Sequence, residues 1–298
     1  MYKRQGLGLK ADIRELIKPN YTVIPGVDEL NLESLVEVLM NTDIITEIND
    51  VKIRQHLEAL IDIFLKSQSP TIDTFLSRRS EYEDVGKLII TLIVRQYEID
   101  NVVGYHDSDD WIQHLLNSHF NSKKDVEEKV NDFPTIITFN YDRHLEISLL
   151  NFLMWNFDYS MEDSVKIINE KMDIRHVYGK LGTNYDVLAL EGVKYKNIHN
   201  DYKLIETIRS NALPNQEYNK IISEVSKVYI LGFGFDKTNF DLLFGNIEWE
   251  TENRNKYLST GYGLAQNTLS WIQRKARRRI TMHVDLKSDE FFSRFYQL

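Results

Sequence analysis

Three short stretches hold residues whose types and spacing suit work on a phosphorylated or polyhydroxylated ligand. They are Phe139-Asn140-Tyr141-Asp142, Arg175-His176-Val177-Tyr178-Gly179, and Leu231-Gly232-Phe233-Gly234-Phe235-Asp236-Lys237-Thr238-Asn239. An Asn side chain supplies both a donor and an acceptor, and an Asp supplies a fixed negative charge. Asn140 and Asp142 together could hold hydroxyl groups and offset a developing cation. Helix capping explains the same pair equally well, because Asn and Asp are favoured caps. His176 stands at the end of an apolar run and before a glycine, where an imidazole that titrates near neutrality can serve as a general base. A single His more often serves structure. Gly232 and Gly234 would let backbone N–H groups approach a phosphate or ribose at a helix start. That Gly-x-Gly lacks the third glycine of a dinucleotide fingerprint, and a plain strand-to-helix turn accounts for it as well.

Other chemistries drop out. The chain has no cysteine, which excludes disulfides, thiol nucleophiles, cysteine–zinc sites and iron–sulfur clusters. The other seven histidines show no metal-ligand spacing; His114 and His119 are five apart and would not share a helical face. The acidic run Asp107-Ser108-Asp109-Asp110 lacks the glycine and terminal glutamate of a calcium loop and reads as a loop and cap before a helix at Trp111. No metal is expected.

The elements that must position these residues follow from hydrophobic periodicity. Leu7 to Ile17, Val51 to Leu65, Thr71 to Leu76 and Val85 to Tyr97 space their apolar side chains as helical faces. Beyond about residue 133, short apolar runs alternate with amphipathic stretches. Strands are expected at Pro134–Phe139, Ile174–Gly179, Asp186–Leu190, Lys227–Gly232 and Arg279–Val284. Helices are expected at 143–157, 218–226, 238–244 and 266–277, with a closing helix around Phe291–Phe295. This alternation predicts an α/β fold with a Rossmann-like parallel sheet, helices on both faces and a helical insertion in the N-terminal half. A single domain is expected over 1–298, mostly helical over 6–132 and strand–helix alternating over 133–298. In such a sheet, ligands sit beyond the carboxyl ends of the strands, where all three stretches fall.

Composition sets the limits. Of 298 residues, 42% are hydrophobic and 27% charged, and the formal charge is −9, so nothing draws the whole surface to nucleic acid or an anionic membrane. The basic run Arg274-Lys275-Ala276-Arg277-Arg278-Arg279 reads as a solvated face or helix C-terminal charge rather than a nucleic-acid patch. No stretch approaches the ~20 apolar residues of a membrane span, and no signal peptide is visible. A cytoplasmic protein is expected, with no membrane or nucleic-acid partner.

In this order, the three stretches resemble the sirtuin-like family of bacterial NAD-consuming proteins, many of them associated with defence against phage. Thr138-Phe139-Asn140-Tyr141-Asp142 resembles the family's Asn-Tyr-Asp motif after a strand. His176 to Gly182 resembles its His-containing strand ending in glycine, and Leu231 to Asn239 its final Gly-aromatic-Gly turn. Thr71 to Phe75 with Gly86-Lys87 is similar to a helical segment that precedes them. The resemblance implies an NAD hydrolase cleaving the nicotinamide–ribose bond, with NAD as substrate. Asn140, Asp142 and His176 would be catalytic. Thr138, Phe139, Tyr178, Gly179, Gly232, Phe233, Gly234, Asp236 and Asn239 would bind the nucleotide, although packing is the plainer role for the rings of Phe233 and Phe235. The family also implies homo-oligomers and a phage-derived activator. A non-catalytic NAD or ADP-ribose sensor is the alternative, favoured by Tyr178 standing where many members place the His. Deacylation, which needs a four-cysteine zinc module, is disfavoured. The family's glycine-rich phosphate loop has no counterpart: Gly6-Leu7-Gly8-Leu9-Lys10 is similar to the segment just after it, and Met1-Tyr2-Lys3-Arg4-Gln5 looks like translated sequencing adapter. The expectation is a chain lacking its first strand, folding poorly and binding NAD weakly, whereas the parent protein would fold, bind NAD and hydrolyse it.

Overall fold

The computed structural model describes residues 50–67, 69, 72–91, 94, 111–182, 204–205, 216–250, 252 and 256–296. The expectations for residues 1–17, for the acidic run 107–110 and for a strand at Asp186–Leu190 lie outside the described residues. The chain divides into two compact units, Met1–Tyr105 with Pro134–Arg209, and His106–Phe133 with Ser210–Leu298.

In the first unit, helices α1 (Asp50–Lys66) and α2 (Ile72–Arg78) precede a helical stretch at 83–91. Their apolar faces supply a core that includes Leu57, Leu60, Phe64, Phe75, Leu76 and Leu88. Strand β1 (Ile136–Thr138) is followed by α5 (His144–Phe157), α6 (Met161–Lys171) and β2 (Ile174–His176), the labels α3 and α4 belonging to the second unit. The strands pair in parallel, with Ile136 opposite Ile174 and Thr138 opposite His176. Parallel pairing requires a crossover, and here two helices make it. Helix α5 is buried almost all round, from His144 to Leu150 and again at Phe152 and Leu153, as an apolar helix must be. It ends at Asp158, whose φ of 53° turns the chain left-handed, a conformation Asp tolerates better than most residues. Ser160 then starts α6: its Oγ accepts from Asp163 N at 3.0 Å and donates to the Asp163 carboxylate at 2.7 Å.

In the second unit, α3 (Trp111–His119) and α4 (Lys123–Lys129) are joined by α7 (Gln216–Glu224), β3 (Val228–Ile230), α8 (Lys237–Phe244), β4 (Tyr257–Thr260), α9 (Gln266–Lys275), β5 (Ile280–His283) and α10 (Ser288–Phe295). The sheet is parallel, in the order β3-β4-β5, with one helix in each crossover. The expected strands at 134–139, 174–179, 227–232 and 279–284 are present in shortened form. Strand β4 and helices α4 and α6 were not foreseen. The protein is therefore an α/β protein with parallel sheets. No described helix is long and apolar enough to cross a membrane.

The basic run ends α9 as expected. Arg274 and Lys275 occupy its last turn, and Lys275, Arg277 and Arg279 hold neighbouring segments. Arg279 donates to the carbonyls of Trp249 and Glu250 at 2.9 and 2.7 Å, Arg277 pairs with Glu250, and Lys275 with Asp241.

Around α8 the core is aromatic. Phe240 is fully buried, and its ring lies within 6.3 Å of Phe235, Phe244, Trp249 and Trp271, centroid to centroid. Replacing Phe240 by Ala leaves a void that rigid rings cannot fill. Phe240→Ala should lower stability by about 3–5 kcal/mol in urea denaturation, and Phe240→Leu by about half that or less. An Ala variant within experimental error of the parent would show that this cluster is not the core of its unit.

Candidate functional site

The carboxyl ends of β1 and β2 bring most of the first two stretches together. Val177 N donates to Thr138 O at 2.9 Å, extending the ladder beyond His176, and Leu181 N donates to Tyr141 O at 3.0 Å. The two post-strand segments are thus stitched side by side. Gly179 makes the turn within the second of them. Its φ is +75°, and a Cβ there would lie 1.8 Å from the carbonyl oxygen of Leu204. Only glycine fits that close approach.

Asn140 is held by its backbone. Its N–H donates to Thr138 Oγ1 at 3.1 Å, and its carbonyl accepts from His176 Nδ1 at 2.8 Å. Its half-buried side-chain amide makes no hydrogen bond to any described residue. Asp142 accepts from His144 N at 3.1 Å through Oδ1, a local turn that starts α5. The capping role weighed for this pair is therefore occupied by Asp142. Phe139 and Tyr178 meet edge to face at 5.6 Å, and Tyr141 lies 6.5 Å from Tyr178. These rings form an aromatic floor, with Tyr178 and Tyr141 buried.

His176 does not face open space. Its side chain is 4% exposed; Nδ1 meets the Asn140 carbonyl, and Nε2 lies 2.9 Å from Glu146 Oε1. A carbonyl can only accept, so Nδ1 donates. The same Glu146 oxygen takes Lys180 Nζ at 3.1 Å. Glu146 lies in the first turn of α5 and is 1% exposed. Burial pushes its carboxyl up, but the hydrogen bond from His176 and the charges of His176 and Lys180 outweigh burial and bring it down to about 2. Neither Glu146 nor Lys180 was picked from sequence. The signal was a lone carboxylate between Leu145 and Ile147 in the first turn of a helix, and a lysine four residues beyond His176 across the glycine turn.

The third stretch lies in the second unit. Gly232, at φ +59°, donates its N–H to Thr260 Oγ1 at 3.1 Å. The rings of Phe233 and Phe235 meet at 4.8 Å, and Phe235 is buried with a φ of 52°. Asp236 caps α8, its Oδ1 accepting from Thr238 N at 2.8 Å and Asn239 N at 3.4 Å. The amides of that first turn, which could have met a phosphate, already hold a carboxylate. Among the described residues no group of three or more His, Asp or Glu could hold a metal ion.

Glu146 makes stability depend on pH with a definite sign. Its carboxyl stands at about 2 when folded, against an ordinary 4.5. The unfolded chain therefore takes up the proton first as pH falls. The stabilisation is fully present above about 4.5 and is lost as pH falls toward 2. The gap corresponds to about 3 kcal/mol. Urea denaturation across this window should show Glu146→Gln less stable than the parent near neutrality, yet with a flatter fall in acid. Parallel curves for the two proteins would place the acid sensitivity elsewhere.

No protein-family model, curated protein or solved structure matches the chain.

Proposed function

We propose that the chain is an NAD hydrolase of bacterial antiphage defence, cleaving the nicotinamide–ribose bond on a Rossmann-like parallel sheet. The observation that carries this reading is Asn140. Its backbone is pinned at both N–H and carbonyl, while its amide, at the carboxyl end of β1, engages no described residue. Ligands of parallel α/β sheets collect at that rim. The backbone that carries this side chain needs no reordering on binding, and the amide's donor and acceptor suit ribose hydroxyls.

The reaction forms a bond from water oxygen to the ribose anomeric carbon and breaks the bond from that carbon to the nicotinamide nitrogen. Nicotinamide leaves with the bonding pair as a neutral molecule, and the attacking water gives up its proton to bulk solvent. Positive charge builds on the ribose as the bond stretches, and the Asp142 carboxylate at the same rim opposes it. Groups fixed in advance in this way are worth about 3–4 kcal/mol each. In this reading Asn140 and Asp142 touch the ribose and orient the water. His176, with both ring nitrogens turned onto protein, is a positioning residue that holds Asn140 rather than the base that accepts the proton. Thr138 supports Asn140 through its hydroxyl, and Gly179 keeps the rim low. Cytoplasmic assembly as a homo-oligomer and a phage-derived activator belong to the same reading.

One observation favours a second reading, a sensor that binds NAD or ADP-ribose without turnover: His176 has no ring nitrogen left for a substrate.

Nicotinamide release from NAD, measured beside NAD binding, separates the two. Asn140→Ala should cut turnover by on the order of a hundredfold. His176→Ala should lose a similar factor through misplacement of Asn140, mainly in kcat. Binding of NAD with no nicotinamide release would establish the sensor, and neither binding nor release would sink both readings.

A further inference from the structure

Helix α9 closes with arginines where glycine is the usual choice. Arg278 N donates to Gln273 O at 2.8 Å and Arg277 N to Arg274 O at 3.3 Å, the paired bonds that satisfy a helix C-terminus. This closure needs a left-handed residue, and two arginines in succession adopt that conformation, with φ of 48° at Arg277 and 57° at Arg278. Glycine would reach it without the crowding that a Cβ brings. Arg277 is compensated by its pair with Glu250. Arg278 and Arg274 are both exposed, and neither guanidinium meets any described residue. We propose that Arg274, Arg278 and the half-buried Trp271 form a docking stripe for single-stranded nucleic acid. The stripe lies in the second unit, and neither β1 nor β2 contributes to it.

Strained positions persist where the side chain serves more than the fold. Here that side chain is a guanidinium, whose planar fork grips a phosphate with two N–H groups where a lysine offers a point charge. Between Glu252 and Asp285 the chain carries no acidic residue. Lys237 and Lys275 share the carboxylate of Asp241, at 2.9 and 3.2 Å, so one positive charge is left in excess next to the two free guanidiniums. The formal charge of −9 opposes attraction over the whole surface, and the attraction is confined to this stripe.

Trp271, one turn before Arg274, lines an open cleft of about 210 Å³ together with Phe235, Lys237, Asn267 and Thr268. Phe240 holds the indole edge to face at 5.2 Å, and the indole N–H has no partner among the described residues. At about 30 Å³ per water molecule the cleft takes about seven heavy atoms, close to one pyrimidine base. Strands without fixed sequence bind in this way, with bases stacked on aromatic rings and phosphates following basic side chains. A membrane surface would call for apolar groups beside the charges. Among the described residues, no large apolar side chain of α9 is fully exposed.

Fluorescence anisotropy of the full chain with labelled oligothymidylate of about 16 nucleotides tests the proposal. The competitors are unlabelled oligothymidylate, an abasic oligonucleotide of the same length, polyglutamate, and phosphatidylserine vesicles. Oligothymidylate should bind saturably at micromolar concentration in about 50 mM salt, and more weakly as salt rises. Each of the other three competitors should displace the label about tenfold less well than unlabelled oligothymidylate. Arg274→Gln and Arg278→Gly should each lower the slope of log affinity against log salt by about 0.7, with an unchanged circular dichroism spectrum. Trp271→Leu should weaken oligothymidylate about tenfold and leave the abasic strand unaffected. The competitors on the parent protein decide the matter even if Trp271→Leu fails to fold. Absence of saturable binding overturns the proposal. So does any of the other competitors matching oligothymidylate, or Arg278→Gly binding with affinity and slope unchanged.

Discussion

The first unit depends on one buried negative charge. Burying a carboxylate costs several kcal/mol unless donors and opposite charge surround it. Glu146 meets that requirement by drawing His176 from the end of β2 and Lys180 from the turn beyond it onto the first turn of α5. The consequences spread outward from there. With its Nε2 on Glu146, His176 presents Nδ1 to the Asn140 carbonyl and fixes the segment after β1. Helix α5 is otherwise apolar on nearly every side and could pack in several rotations. A carboxylate that must find two particular cations removes that freedom. The pair also sits where a helix start favours negative charge, so the α5 dipole adds to what His176 and Lys180 supply.

The second unit settles a similar problem with neutral groups. Its central strand β4 carries Ser259 and Thr260 in the interior, both buried. Ser259 Oγ reaches Ile230 O across the sheet at 3.2 Å, and Thr260 Oγ1 takes the Gly232 amide. The positive φ at Gly232 then redirects the chain that follows, away from the line of the strand. The helix after this turn is closed by Asp236, so protein charge satisfies the amides that a phosphate would otherwise have satisfied.

How much of this could be read from the residues depends on whether the signal was local. Strands β1, β2, β3 and β5 show as short runs with polar or glycine punctuation, α5 shows as a long, largely apolar stretch, and α8 shows by periodicity. Strand β4 does not, because Tyr257-Leu258-Ser259-Thr260 is half polar and its burial is made tolerable only by partners on β3. Helix α6 starts with Ser160 as a cap, but Met161-Glu162-Asp163-Ser164 gives too polar a first turn for the apolar pattern to stand out. At the site, the positions of Asn140, Asp142 and His176 after strands were legible. Their partners were not: Glu146 and Lys180 lie 30 residues before and four after His176, and only the parallel register of β1 and β2 brings them to one point. Asp142 and Asp236 carry the same lesson, since a carboxylate before a helix serves caps and ligands alike until its acceptor geometry is known.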